Sequence, residues 1–104
     1  MITVSRTGPT DGVVVLAVSG EIDLDTADEL RGAIIDAFCH AGTEVRVDLH
    51  AVSFLNSSGL NALIAGVHEA EDHSVRYSVV RPQPQVRKVM DMVGLTEILH
   101  VPHS

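Results

Sequence analysis

Apolar and polar residues alternate over "ITVSRT" (2–7), the period of a strand with one buried face. "TGPTDG" (7–12) carries turn chemistry. "VVVLAV" (13–18) follows as a short valine-rich run, which predicts a central strand paired to the first as a hairpin and ended by Ser19 and Gly20. The period then changes. Ala27, Leu30, Ala33, Ile34, Ala37, Phe38 and Ala41 recur at helical spacing, so a helix is expected to start in "DTADE" and to stop at "AGT" (41–43). Thr26 and Glu29 have capping-box spacing, with Asp25 as the competing cap. "EVRVDLH" (44–50) alternates again and puts Val45, Val47 and Leu49 on one face. A second helix is expected from near Ser57, with Leu60, Leu63, Ile64 and Val67 as its buried stripe. "VRYSVVR" (75–81) reads as a further strand. Val86, Val89, Met90 and Val93 mark a third helix, closed by Gly94. "TEILHV" (96–101) reads either as a last short strand or as the start of a tail.

The order is β-β-α-β-α-β-α. It predicts a single α/β domain over residues 1–104, with a mixed sheet of four to five strands and three or more helices covering at least one sheet face. A chain of 104 residues can bury one modest core without staples. No run of apolar residues reaches membrane-spanning length, and the N-terminus lacks the apolar core of a signal peptide. One cysteine, Cys39, allows no internal disulfide, which fits a reducing compartment. A cytoplasmic location is therefore expected. The formal net charge is −7, and five acids fall in "EIDLDTADE" (21–29), while the basic residues form no patch. That argues against nucleic acid as a partner. The acidic run reads either as a solvated loop feeding a helix N-terminus or as a surface for a basic partner.

The segment "VSFLNSSGL" (52–60) carries the chemistry that needs explaining. Its serines fall at a junction from strand to helix, at the carboxyl end of a strand, where functional groups collect in α/β sheets. Asn56, Ser57 and Ser58 are all good N-caps, but a helix needs only one. A nucleophile elbow would require G-x-S-x-G; Leu55 stands at the first glycine position, and the six histidines follow no triad order. A phosphate-cradling loop has no supporting motif, and Lys88 is the only lysine. His68 and His73 are five apart, off one helical face, and no Cys/His cluster has zinc spacing, so neither a metal nor another cofactor is expected. Beside capping stands a phosphoacceptor, because the positive end of a helix tolerates added negative charge; spacing alone does not select between the two.

"VDLHAVSFLNSSGLNALI" resembles the signature of the STAS domain, and more narrowly that of bacterial anti-sigma-factor antagonists. "VSGEIDLDTADEL" is similar to that family's first strand, loop and helix, and "RPQPQVRKVMDMVGLTEIL" to its final helix and turn. The resemblance covers roughly residues 12 to 100. It implies a partner-switching protein and not an enzyme. The family binds an anti-sigma factor that is a serine kinase, frees its sigma factor, and is switched off by phosphorylation of the first serine of the pair, here Ser57. A phosphatase restores it. The resemblance carries Gly20, Glu21 and Asp23 over as contact candidates, with Asn56, Ser57, Ser58 and Gly59 at the helix start. Asn56 stands where the best-known antagonists have aspartate. It keeps the capping geometry and loses a charge. The alternative within the same fold is a scaffold or regulatory module of a stress-signalling or transport complex, whose serine is never phosphorylated.

Overall fold

A computed structural model describes residues 2–95. Strand β1 (Ile2–Thr10) and strand β2 (Val13–Ile22) form the hairpin, and helix α1 (Ala27–Phe38) follows. Strand β3 (Glu44–Leu55), helix α2 (Ser57–His73), strand β4 (Arg76–Val80) and helix α3 (Pro84–Met92) complete the order. The sheet runs β1-β2-β3-β4. The pair β1/β2 is antiparallel, and β2/β3 and β3/β4 are parallel. Element order and mixed sheet both agree with the periodicity. "TEILHV" (96–101) lies outside the described residues.

Alternation decides which sheet face is covered. Val14, Leu16 and Val18 of β2 and Val45, Val47 and Leu49 of β3 are buried in one cluster with Leu30 and Ile34 of α1, Leu63 of α2 and Met90 of α3. The intervening residues Arg46, Asp48 and Ser78 are partly exposed and form a polar network. Glu44 accepts from Arg46 Nε at 3.0 Å and from Ser78 Oγ at 2.9 Å, and Asp48 is paired with Arg81. Burial alone would raise both carboxyls. The donors Arg46 and Ser78 at Glu44, and Arg81 with the His50 amide at Asp48, outweigh it and hold both below the usual carboxylate range. A carboxyl depressed by folding stabilises the fold above its unfolded pKa and loses that contribution as pH falls through the folded value. The melting temperature should therefore stay level above about pH 5 and fall below about pH 4. Asp48→Asn, followed by calorimetry across that range, should flatten part of the acid slope.

Two helices depart from their expected stripes. In α2, Ile64 and Val67 are only half-buried, while Gly59, Leu60, Ala62, Leu63 and Gly66 are buried. The helix turns its small residues inward because β2 and β4 approach it closely. In α3, Val86 and Met90 are buried, but Val93 is 56% exposed because the helix ends at Met92. The Gly94 N–H closes the turn onto the Asp91 carbonyl at 3.1 Å. The stripe of α1 is as the pattern predicts, with Ala27, Leu30, Ile34, Ala37 and Phe38 buried.

Candidate functional site

β2 and β3 both run further than their apolar runs suggest. Ser19, Gly20, Glu21 and Ile22 pair with Ala51, Val52, Phe54 and Leu55, across register shifts that let one strand take an extra residue. This joint extension brings the end of β2 to the start of α2. The Asn56 N–H donates to the Ile22 carbonyl at 3.2 Å, tying the two segments together. Gly59 completes the contact. A Cβ at that position would lie 2.8 Å from Ile22 Cγ2 and 3.0 Å from Leu55 Cγ, so only glycine lets the helix seat there.

Asn56 is the cap of α2. Its Oδ1 accepts from the Ser58 N–H at 3.0 Å and the Gly59 N–H at 3.3 Å. The capping role is thus filled by one residue, which leaves both serine hydroxyls free of it. Ser58 is half-buried and Ser57 is exposed. Of the two, Ser57 is the more exposed.

The loop between β2 and α1 is capped differently from the expectation. Thr26 and Glu29 form no capping box, and Thr26 makes no side-chain cap to α1. The box is set three residues earlier. Asp23 Oδ1 accepts from the Thr26 N–H at 3.2 Å and from the Asp25 N–H at 3.0 Å, while the Thr26 hydroxyl oxygen accepts from the Asp23 N–H at 3.0 Å. The Thr26 hydroxyl in turn donates to the Glu21 carbonyl at 3.1 Å. Thr26 is buried by this arrangement, which explains why it cannot serve further along the helix. Asp23 is half-buried and holds the loop; Glu21, Asp25 and Asp28 are exposed and have no such duty. Asp23→Ala should therefore cost about 1 kcal/mol of stability. Asp25→Lys should stay within about 0.5 kcal/mol of the original. Denaturant melts of the two variants test this division.

The structure brings Gly20, Glu21, Asp23, Asn56, Ser57, Ser58 and Gly59 to one edge of the domain, built by β2, the following loop and the start of α2. The edge also carries apolar surface that the motif did not single out. Leu24 is 76% exposed and Phe54, paired with Glu21, is 47% exposed. Two of the histidines have partners away from this edge: His73 stacks on Phe38 and lies 3.6 Å from Glu69, and His40 lies 3.8 Å from Asp36. A hollow of about 520 Å³ lies beside β4 and the second half of α2, away from Ser57, with Val67, Ala70, Val75 and Tyr77 in its wall. Among the described residues no helix is long and apolar enough to cross a membrane.

Comparison with known proteins agrees with this geometry. The family described as "Mlab, STAS domain" matches residues 5–100. The anti-sigma-F factor antagonist RsfB of Mycobacterium tuberculosis is 39% identical over 85 residues, which is 82% of this chain and 69% of RsfB. The crystal structure of an anti-sigma factor antagonist from Mycobacterium paratuberculosis superposes with a TM-score of 0.86 at 33% identity, covering 100% of this chain and 87% of that one. The Bacillus cell fate determinant SpoIIAA in its phosphorylated form gives a TM-score of 0.71 at 25% identity, covering 98% and 93%. Fold, family match and these relatives together assign the chain to the STAS domain family, among the anti-sigma factor antagonists.

Proposed function

We propose that this chain is an antagonist of an anti-sigma factor that is itself a serine kinase. It docks through the edge formed by Gly20–Asp23 and Asn56–Gly59, releases the sigma factor held by that kinase, and is switched off by phosphate on Ser57. It acts in the cytoplasm and catalyses nothing itself; a phosphatase resets it. The observation that carries this reading is the division of labour at the start of α2. Asn56 supplies the cap and Gly59 the seat, so the exposed Ser57 hydroxyl has no structural task.

The chemistry of the off state follows from charge. A phosphoserine adds about −1.5 to −2 charges. The helix N-terminus tolerates them, so the domain stays folded. The surrounding edge already holds the exposed acids Glu21, Asp25 and Asp28. In a packed interface the new charge meets like charge and loses water, which weakens binding without altering the fold.

The test is a sigma-release assay. A complex of kinase and sigma factor should lose its sigma factor on addition of the unmodified chain and keep it on addition of the Ser57-phosphorylated chain. Asp25→Lys should raise the concentration needed for release while the melt stays unchanged. Release by both forms alike would rule out the phosphate switch.

A further inference from the structure

The starts of α1 and α2 do not meet flush. Between them lies a hollow of about 180 Å³, walled by Leu24, Asp28 and Arg31 on one side and by Ser58 and Asn61 on the other. It opens one residue from Ser57. Its chemistry differs from that of the acidic loop beside it. Arg31 is the only Lys or Arg between Arg6 and Arg46. The ion pairs of the described residues engage Arg6, Arg46, Arg76, Arg81 and Arg87, but not Arg31. Asp28, one helical turn away on the same face, likewise makes no ion pair among the described residues. Leu24 projects at the mouth with three-quarters of its surface bare.

We propose that this hollow is a partner-reading subsite that accepts a carboxylate side chain of the kinase, with Arg31 as its anchor and Leu24 covering the methylene stem. The proposal rests on the docking reading above and specifies what that edge selects. A surface complementary to Glu21, Asp25 and Asp28 must be basic, and a uniformly basic surface would be repelled by Arg31. Only a partner that places one acid opposite Arg31 within a basic field satisfies the whole pattern. A guanidinium reads such an acid with a fixed fork of donors, which a point charge does not. Recognition therefore depends on the order of the charges and not on their sum. Arg31 and Leu24 are specificity-determining residues, and neither takes part in phosphate transfer.

The experiment uses the full chain and the purified anti-sigma serine kinases of the source organism, each titrated by calorimetry. The variants are Arg31→Glu, Arg31→Lys, Leu24→Ser and the double variant Asp28→Arg with Arg31→Asp. The double variant keeps the net charge and reverses its order. Arg31→Glu should bind at least about ten-fold more weakly. Arg31→Lys should recover part of the loss, Leu24→Ser should bind more weakly than wild type, and the double variant should remain as weak as Arg31→Glu. In phosphotransfer assays Arg31→Glu should raise KM for the chain and leave kcat unchanged, a split that a misfolded helix would not give. Melts of all four variants should match wild type, since the positions are exposed. Wild-type affinity in Arg31→Glu, or its recovery in the double variant, would overturn the subsite. A loss confined to the phosphorylated chain would overturn it too, because Arg31 would then be serving the phosphate of its own chain. If the wild-type chain binds none of the kinases, the docking reading itself fails, and the subsite with it. If Asp25→Lys weakens binding and Arg31→Glu does not, the subsite alone fails.

Discussion

Incubation with a cognate kinase and ATP should place one phosphate on this chain, on Ser57, and Ser57→Ala should abolish the product. Ser58→Ala should be modified as wild type is. The difference follows from the first turn of α2. Ser58 is half-buried and its N–H is held by Asn56, whereas Ser57 is exposed at the first helical position. Intact-mass and fragment spectra of the three proteins measure it. Ser57→Asp should imitate the phosphate only in part, because a carboxylate brings about one charge against nearly two. Its affinity for the kinase should fall between those of the unmodified and phosphorylated chains. Adding Asn56→Asp should weaken it further. Aspartate keeps the cap and places a second charge next to the first. Adjacent sites couple, so the four affinities of a double-mutant cycle are the proper measurement.

The largest change in stability should come from Gly66→Ala. A Cβ at Gly66 would stand 2.2 Å from Tyr77 Cζ and 2.5 Å from Cε1, well inside contact distance. The ring cannot easily step aside. Tyr77 is buried, its hydroxyl donates to the Leu63 carbonyl at 2.7 Å, and its ring packs against Phe38 at 5.8 Å between centroids. Burial raises its pKa far above the usual tyrosine value, so it remains a neutral donor at any physiological pH. Overpacking costs about 1–3 kcal/mol, and breaking the buried hydrogen bond about 1–3 kcal/mol more. Alanine returns about 1 kcal/mol of helix propensity. The net loss is about 1–5 kcal/mol, a fall in Tm on the order of 10 °C for a domain of this size. Tyr77→Leu removes the ring, and in combination should recover part of the Gly66→Ala loss. Additive losses would mean that the contact is not the cause. Because α2 also carries Ser57, a displaced helix should lower phosphorylation in the same variant.

β1, β3 and α1 were legible because each has a clean period: two in "ITVSRT" and "EVRVDLH", near 3.6 from Ala27 to Phe38. The surplus of capping residues in "NSSG" was legible because capping chemistry is local: Asn56 alone caps α2. What the sequence hid depends on contacts between distant segments. β3 continues through "AVSFL" because β2 lies beside it up to Ile22, and no local pattern announces that ladder. The capping box could be placed at Thr26 and Glu29 by spacing alone. The path of the chain from Glu21 selects Asp23 and Thr26 instead, and this moves Asp23 from the free surface into the frame of the loop. Ile64 and Val67 were expected to be buried, yet the close approach of Tyr77 to Gly66 and of Ile22 to Gly59 turns the helix toward its small residues. Arg31 drew no notice in the sequence. Its position becomes informative only when α1 and α2 are side by side.

The central claim is that charge at Ser57 governs docking. Isothermal titration of one cognate kinase, at one ionic strength, with the unmodified chain and with the chain carrying phosphate at Ser57 tests it most directly. The account predicts that phosphate lowers the affinity by a factor on the order of a hundred or more, equivalent to about 3 kcal/mol, while both forms melt alike. Equal affinities for the two folded forms would contradict it.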